Sequence, residues 1–394
     1  MLDLFTDDVR RNPFPLYAQL RERSPLLHEP RADLWLLFDY DSVKRALQDH
    51  EVFSSVVTTV TGRTPDWLLF SDPPRHTKLR GIIMRAFTPR SIANLEPHVR
   101  ELSRGLLAPL VGRGEMDVVA EYSSQLPTTV IAEMIGIPVE DRARFLQWGD
   151  IIMKLSHTIS EGEEAERARA ENAAMRDEMR VYLSAILEER RREPRDDLLT
   201  RLVEAEVDGE RLDEKEILGF FQLLLAAGTE TTTDLIDNAL LCFLEYPDQL
   251  ERLRRQPELL GSAIEEVLRF RSPAQSMYRS TKREVELNGR VIPAGKFVLP
   301  MIGSANRDPG HFEEPERFDI GREPNPHLAF GHGIHFCLGA ALSRMEARVA
   351  LTDLLEALGD FQLASDTPWE PRQALHLHGP KRLPLRFEPR VLRS

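Results

Sequence analysis

Residues 330–339 read FGHGIHFCLG, and this stretch decides how the rest of the chain is interpreted. Its three glycines allow a tight loop and a close approach of the backbone to a flat or bulky group. Cys337 is expected where the loop enters a helix. The partial positive charge and the open N–H groups of a helix N-terminus stabilise a thiolate, so the stretch predicts a reactive cysteine.

A single thiolate limits the kinds of metal site that the chain can form. It cannot complete a closed tetrahedral zinc site, but it can be the axial ligand of haem iron, which takes four ligands from the macrocycle. The alternative is that Cys337 is a buried thiol that packs as a small hydrophobic side chain. The second cysteine, Cys242, lies in the apolar segment ALLCFL (239–244) and is predicted to be core.

The composition excludes several classes of protein. Two cysteines in 394 residues exclude a disulfide scaffold and a multi-cysteine zinc or iron–sulfur site. A net charge of −13 argues against a general nucleic-acid binder. The start MLDLFTDDVRRNPF lacks the apolar core of a signal peptide, and no 18 apolar residues run together. We therefore expect a cytoplasmic protein without a membrane anchor, and one domain spanning residues 1–394.

Helical periodicity dominates the pattern of apolar residues, which predicts a mainly α fold with small β-sheet portions. The predicted helices span about 161–192, 214–245, 258–270 and 338–358. The helix over 214–245 would be ~48 Å long and would cross the core. The predicted strands are 34–38, a hairpin over 285–292 with Asn288-Gly289 at its turn, and 383–387.

Residues 330–339 match the pattern Phe-Gly-x-Gly-x-His/Arg-x-Cys-x-Gly at every fixed position. In this the chain resembles the cytochrome P450 superfamily, and further signatures of that family follow in order from about residue 12 to the C-terminus. The resemblance implies the cytochrome P450 fold as a single haem-thiolate domain, with haem b between the long central helix and the helix after Cys337. The residues of the cysteine loop that it implies at the haem are Phe330, Gly331, His335, Cys337 (the axial ligand) and Gly339.

The segment AGTET (227–231) lies inside the predicted long helix, although glycine and threonine lower helix propensity. Threonine hydroxyls can also bond back to the i−4 carbonyl and bend the helix. The alternative is an N-cap or a helix break near residue 228. The segment resembles the family's acid–alcohol pair. The resemblance implies that Thr231 hydrogen-bonds dioxygen and that Glu230 relays protons to it.

Two further sets of charged residues follow from the resemblance. The haem propionates need basic partners, for which it implies His76, Arg80, Arg279 and His335. The Glu-x-x-Arg pair Glu266 and Arg269 shares one helix face, and with Arg317 it would form a buried structural triad behind the haem.

Electrons must come from another protein, because the chain has no dinucleotide-binding fingerprint and no cysteine set for an iron–sulfur cluster. We expect a ferredoxin or flavodoxin to dock on a basic proximal face. The residues predicted for that face are Arg75, Lys78, Arg85, Arg90, Arg344 and Arg348.

The substrate is the least determined part of the interpretation. By family position the pocket is lined by apolar segments, which suits a lipophilic small molecule such as a terpenoid, steroid, fatty acid or macrolide-like compound. The predicted pocket residues are Val60, Trp67, Leu68, Ile152, Leu224, Ala227, Ala274 and Met277.

The function that these patterns favour is an O₂-dependent monooxygenase, of the kind used in secondary metabolism. One alternative is a peroxide-driven haem peroxygenase of the same fold, although such enzymes usually replace the acid–alcohol pair that Glu230 and Thr231 match. A haem-binding protein without catalysis is a second alternative, and a helical protein without a cofactor is a third.

Overall fold

The predicted helices and strands form with bounds close to those expected from the sequence, except that the helix expected over 214–245 forms as two helices. A computed structural model describes residues 6–30, 32–57, 66–86, 92–157, 163–207, 209–374 and 376–390. The predicted Val60 and Arg90 lie outside these residues. The fold is mainly α with small sheets, as predicted. No helix in the described part of the chain is long and apolar enough to cross a membrane.

The α-helices of the described residues are numbered in chain order. They are α1 Asp7–Arg11, α2 Phe14–Arg23, α3 Tyr40–Gln48, α4 Arg75–Ala86, α5 Glu96–Val111, α6 Gln125–Ile135, α7 Arg142–His157, α8 Glu163–Arg192, α9 Leu198–Glu204, α10 Glu214–Gly228, α11 Glu230–Glu245, α12 Pro247–Arg255, α13 Leu260–Phe270, α14 Ile302–Ala305 and α15 Ala340–Ala357. Short 3₁₀ turns span Leu68–Phe70, Val139–Asp141, Pro257–Leu259 and Gly333–His335, and a π-helical turn spans Val119–Ser123.

The strands are short and lie in small sheets. They are β1 Leu26–Glu29, β2 Leu34–Leu37, β3 Phe53–Ser54, β4 Glu115–Asp117, β5 Glu206–Val207, β6 Glu210–Arg211, β7 Arg279–Thr281, β8 Val285–Leu287, β9 Arg290–Ile292, β10 Phe297–Pro300, β11 Leu358–Leu363 and β12 Pro384–Pro389. The hairpin turn predicted between β8 and β9 forms at Asn288-Gly289, where both residues have positive φ (50° and 69°). This is the backbone that a two-residue hairpin requires.

The chain divides into two compact units, and the first comprises Met1–Ser54, Leu95–Leu126 and Thr231–Ser394. Its main sheet has the order β1-β2-β10-β7-β3, with β10 parallel to β2 and antiparallel to β7. One face of this sheet packs with α3 into an apolar cluster that includes Trp35, Val43, Phe53, Val298 and Leu328. Arg279, one of the predicted propionate partners, is thereby fixed at the start of β7.

The second unit comprises Ser55–Asn94 and Pro127–Glu230, and the regular structure of its described residues is helical apart from the short pair β5–β6. Phe145 and Trp148 of α7 meet Phe221 of α10 edge-on, with ring centroids 5.5 and 6.4 Å apart. Such aromatic pairs fix the two helices side by side. The sequence interpretation of one haem domain across the whole chain stays a prediction.

The long helix predicted over 214–245 is interrupted at Thr229, so that α10 ends at Gly228 and α11 begins at Glu230. The Thr229 hydroxyl donates to the carbonyl of Leu225 at 2.9 Å, which is the i−4 back-bond that bends helices. Gly228 lies against Ile131, whose Cδ1 would be 3.0 Å from an added Cβ. The alternative of a break near residue 228 is therefore the one that forms.

Candidate active site

The cysteine loop (residues 330–339) closes on itself through its backbone. The amide of Cys337 donates to the Phe330 carbonyl at 2.9 Å, and the amide of Phe336 donates to Gly333 at 3.1 Å. Gly331 and Gly333 have φ values of 73° and 74°, in the left-handed region that favours glycine. The loop therefore reverses direction tightly before Cys337, as the glycine pattern predicts.

The loop also packs closely against helix α3. A Cβ added at Gly333 would lie 2.9 Å from the Cα of Gln48 and 3.2 Å from the Leu47 carbonyl oxygen, so no side chain fits at this position. Helix α15 begins at Ala340 rather than at residue 338 as predicted, because Leu338 and Gly339 form a turn first. Cys337 therefore precedes an 18-residue helix by one turn.

The two cysteines have opposite environments. Cys337 is exposed, whereas Cys242 is completely buried in α11. Burial raises the pKa of the Cys242 thiol to about 12, so it stays protonated and packs as the predicted core residue. The cysteine that can present a thiolate is Cys337.

Glu230 and Thr231 are the first two residues of α11 and are half-buried. A carboxylate in the first turn of a helix is favoured by the positive end of the helix dipole. The next two threonines anchor this end of the helix: Thr232 bonds the Ser343 hydroxyl at 3.1 Å, and Thr233 donates to the Ser123 carbonyl at 3.0 Å. The interruption at Thr229 thus gives the predicted acid–alcohol pair a helix N-terminus of its own.

The predicted propionate partners fall into two pairs. Arg279 is buried in β7 and His335 ends the 3₁₀ turn of the cysteine loop; both belong to the first unit. His76 and Arg80 belong to the second unit, four residues apart on one face of α4, with His76 buried and Arg80 half-buried. Each unit therefore contributes one arginine and one histidine to the predicted propionate partners.

The predicted charge triad forms around Glu266, but with a different third member. Arg269 binds Glu266 through two hydrogen bonds of 2.8 Å, and both side chains are completely buried. Arg322, not Arg317, supplies the third charge, with its Nε 3.1 Å from Glu266 Oε1. The Arg317 side chain points outward to Glu314, and only its carbonyl oxygen accepts from Arg269 and Arg322.

The physical reason for the difference is the direction of the backbone after Arg317. Its carbonyl faces the buried pair, so its side chain projects towards solvent and is 58% exposed. Arg322 lies five residues further along the chain, and its guanidinium donates to the Glu266 carboxylate. The amide of Asp319 and the side-chain amide of Asn325 complete the hydrogen bonding of the Glu266 carboxylate.

Comparison with known proteins agrees with this geometry. The family model described as Cytochrome P450 matches residues 26–376. The chain belongs to the cytochrome P450 family. The substrate-free structure of cytochrome P450 CYP109E1 from Bacillus megaterium has a TM-score of 0.91 to this chain at 39% identity, covering 96% of this chain and all of that one. Its complex with corticosterone has a TM-score of 0.88 at 39% identity, with coverages of 97% and 100%.

A named enzyme of the cytochrome P450 family is similarly close in sequence. The vitamin D(3) 25-hydroxylase of Pseudonocardia autotrophica is 38% identical, covering 98% of this chain and 97% of its own length. Relatives of this similarity are cytochrome P450 monooxygenases, and this chain is an enzyme of that class.

The family implies a haem-thiolate cofactor, and the residues present fit it. Cys337 is an exposed thiol before a long helix, and a Cβ at Gly339 would lie 4.0 Å from its Sγ. His335 and Arg279 supply basic side chains in the same unit. These are the donor types that a thiolate-ligated haem with two propionates needs.

The predicted substrate residues of the second unit of this cytochrome P450 lie around α10. Trp67 donates through its indole N–H to Gln222 at 3.2 Å, and a Cβ at Gly219 would lie 2.2 Å from the Asp66 carbonyl, so the segment before the 3₁₀ turn presses on the helix. Leu68 and Ile152 are buried, Leu224 is half-buried and Ala227 is exposed.

The two predicted substrate residues of the first unit lie between α13 and β7. Ala274 forms an isolated bridge with Leu377, and Ser276 forms another with Met301, so this segment is held on both sides. Met277 packs against the sheet cluster of Trp35.

The residues predicted for a basic docking face are mostly neutralised by acidic partners. The described ion pairs are Arg75–Glu216, Lys78–Glu210, Arg344–Glu265 and Arg348–Glu96. Arg85 instead donates to a backbone carbonyl, that of Glu206, at 2.7 Å. The net positive charge of α4, and separately that of α15, is therefore smaller than the count of basic residues indicates.

The sequence interpretation missed several residues that the structure brings to the cysteine loop and the buried charge cluster. They are Glu265, His327, Arg322 and Asn325. Glu265 adjoins the Glu-x-x-Arg pair, and His327 lies three residues before the loop, so proximity along the chain was the available signal. The sequence pattern does not show which partners the side chains of these four residues contact.

Proposed function

We propose that this cytochrome P450 inserts one oxygen atom from O₂ into a lipophilic small molecule, with haem b as cofactor and Cys337 as its axial ligand. The overall reaction is R–H + O₂ + 2e⁻ + 2H⁺ → R–OH + H₂O. The observation that carries the proposal is the exposed Cys337 in a glycine loop one turn before α15. When bound, the haem supplies the activation of O₂, and the thiolate favours O–O cleavage.

The protein's own residues supply the ligand, the anchors and the protons. Cys337 presents sulfur on a loop that its own backbone hydrogen bonds hold closed. His76, Arg80, Arg279 and His335 neutralise the propionates. Glu230 takes protons from solvent and passes them to the Thr231 hydroxyl, which donates to dioxygen.

The proposed substrates are lipophilic. The residues assigned to substrate contact are apolar apart from the indole N–H of Trp67, which is bonded to Gln222. Several relatives have names that state a steroid-like ligand or product: CYP109E1 is solved in complex with corticosterone and with testosterone, and another relative is a vitamin D(3) 25-hydroxylase. A further relative, P450BioI, is instead solved with hexadec-9Z-enoic acid carried by an acyl carrier protein, so a fatty acyl chain is the second class. We propose that sterol- and steroid-sized compounds are the first class to screen.

The electron donor in this proposal is a separate ferredoxin or flavodoxin. The chain carries no dinucleotide fingerprint and no cysteine set for a cluster of its own, so reduction needs a partner. An acidic donor would meet the basic side chains around α4, of which Arg85 has no carboxylate partner in the described part of the chain.

The test of the cofactor assignment is spectroscopic. Purified holoprotein reduced with dithionite under CO should show the band of a thiolate-ligated haem, and Cys337→Ser should lose that band. Cys242→Ser is the matched control and should keep it. A band retained in Cys337→Ser would show that another residue ligates the iron.

The test of the reaction is coupling. Titration with corticosterone, testosterone and vitamin D₃ should shift the iron spin state, and the compounds that do so are then incubated with a ferredoxin system. Thr231→Ala should consume electrons but release peroxide in place of product. Unchanged coupling in Thr231→Ala would overturn the proton-transfer assignment, whereas turnover supported by peroxide alone would favour the peroxygenase alternative.

A further inference from the structure

Glu265 binds a different set of residues from its neighbour Glu266. Its carboxylate forms a bidentate pair with Arg344 of α15, with Nε at 2.6 Å from Oε1 and Nη2 at 2.8 Å from Oε2. Both side chains are about one-third exposed. Two parallel hydrogen bonds give this pair a fixed geometry that a single contact lacks. The pair therefore joins α13 to the helix that follows Cys337.

The same carboxylate also holds a buried histidine. His327 Nε2 lies 3.0 Å from Glu265 Oε2, and His327 is 3% exposed. The backbone amide of Ala329 donates to His327 Nδ1 at 3.2 Å. Because Nδ1 accepts this hydrogen bond, Nε2 carries the ring hydrogen and donates it to Glu265. The imidazole thus connects Glu265 to the backbone immediately before Phe330.

A second contact reaches the loop through a side chain. The Arg344 guanidinium lies over the ring of Phe330, with Cζ 4.4 Å from the ring centroid. The Phe330 carbonyl accepts from the amide of Cys337. One carboxylate therefore fixes Phe330 twice, through the Ala329 amide and through the stacked guanidinium.

The charge state of Glu265 suits this role. Burial alone would raise the pKa of the Glu265 carboxyl, but the hydrogen bonds from Arg344 and His327 outweigh it and lower the pKa to about 2. The carboxylate consequently stays ionised near neutral pH.

We propose that Glu265, His327 and Arg344 are positioning residues that hold the cysteine loop so that Cys337 keeps the geometry of a thiolate ligand. The inference rests on the proposed haem ligation by Cys337. It also reassigns Arg344, which the sequence pattern placed on a docking face, to the support of the loop. Removing Glu265 would leave the guanidinium and the imidazole without their acceptor and release Phe330.

The experiment compares variants of the holoprotein without any redox partner. Glu265→Ala and Arg344→Ala are reduced with dithionite under CO, and the loss of the thiolate-type band is followed in mild urea. Arg348→Ala is the matched control, because Arg348 lies on the same helix, is similarly exposed and pairs with Glu96 away from the loop. Haem affinity is measured separately by titrating each apoprotein with haem.

We expect Glu265→Ala and Arg344→Ala to lose the thiolate-type band faster and to bind haem about 10–100-fold more weakly, the usual effect of removing support from a metal ligand. Arg348→Ala should match the wild type in both measurements. Glu265→Gln keeps an oxygen acceptor for His327, so its rate of band loss and its haem affinity should lie between those of the wild type and those of Glu265→Ala. Behaviour of Arg344→Ala identical to that of Arg348→Ala would overturn the inference.

A substitute variant and the wild-type spectrum distinguish a failed inference from a variant that does not fold and from a failed proposed function. Arg344→Lys preserves the charge but cannot bind both carboxylate oxygens or cover the Phe330 ring. It replaces Arg344→Ala if Arg344→Ala does not fold. If Arg344→Lys keeps the wild-type band stability and haem affinity, the inference is overturned. If the wild type shows no thiolate-type band, the proposed function fails. If the wild type shows it and the variants match the control, only the positioning role fails.

Discussion

Glu346 lies on the buried face of α15, 1% exposed, and its Oε1 has no hydrogen-bond partner among the described residues. Burial raises the pKa of its carboxyl to about 8. Near neutral pH the folded protein therefore holds this group protonated, whereas the unfolded chain ionises it. A buried carboxyl of this kind costs stability wherever the unfolded chain has lost its proton and the folded protein has not.

The sign of the effect follows from that difference. As pH rises from the ordinary glutamate pKa to about 8, the unfolded state binds fewer protons, so the free energy of unfolding falls by about 1.4 kcal/mol per pH unit. Glu346→Gln should remove this slope and raise the melting temperature at pH 8 relative to the wild type. Glu101→Gln, on an exposed side chain, should leave the slope unchanged. Equal slopes in wild type and Glu346→Gln would contradict the prediction.

Arg322 and Arg317 provide a second comparison at the scale of residues. Arg322 is 11% exposed and contacts the buried Glu266, whereas Arg317 directs its side chain to solvent. Arg322→Ala should lower the free energy of unfolding by about 3 kcal/mol, because it leaves part of a buried charge uncompensated. Arg317→Ala should stay close to the wild type in urea unfolding. A reversed order would restore the sequence interpretation of Arg317.

Helix α10 carries two of the second unit's predicted substrate residues, Leu224 and Ala227, and its start is set by a capping box. Asp213 accepts from the Glu216 amide at 2.7 Å, and Glu216 accepts from the Asp213 amide at 3.0 Å. Two amides of the first turn are satisfied in this way. Local sequence thus determines where the helix begins, and its end is set by the back-bond of Thr229.

Removing the cap should have a small and specific effect. Asp213→Ala should lower the free energy of unfolding by about 1 kcal/mol, because the Glu216 amide loses its acceptor. Asp213→Asn keeps an oxygen acceptor at the same place and should cost clearly less. Thermal melts of both variants measure the difference, and equal melting temperatures would argue against the capping role.

Elements with a local signal were predictable from the sequence. Helix α8, the hairpin turn at Asn288-Gly289 and the approach of the cysteine loop to a helix each follow from periodicity or turn chemistry within a few residues. The order of the main sheet does not, because β3, β7 and β10 are only two to four residues long and β3 is far in sequence from its partner β7. The choice of Arg322 over Arg317 depends on backbone direction, which no residue pattern states.

At the scale of the whole molecule, the total numbers of basic and acidic residues do not show which charges are paired with one another. The chain carries 51 basic residues against 64 acidic ones, and most basic residues predicted for docking already contact a carboxylate. Surface pairs of this kind contribute little to stability, but they cancel one another's field at a distance. Steering of an acidic donor then depends on the bases that lack such a partner.

Arg85 is the base that tests this arrangement. In the described part of the chain it donates to the Glu206 carbonyl and has no carboxylate partner, whereas Lys78 pairs with Glu210. Arg85→Gln should slow reduction by an acidic ferredoxin by roughly threefold at low salt, with the difference lost at high salt. Lys78→Gln should change the rate less. An equal or larger effect of Lys78→Gln would show that pairing does not determine docking.

The two left-handed glycines of the cysteine loop should differ in the sequence variation that they permit. At Gly331 a Cβ would meet only the His335 carbonyl, at 3.7 Å, so the backbone angle alone restricts the choice and asparagine can adopt it. At Gly333 a Cβ would enter α3, so asparagine is excluded as well. A saturation library selected for haem incorporation should therefore recover asparagine at 331 and glycine alone at 333, which makes position 333 the stricter marker when diverged sequences are searched for this loop.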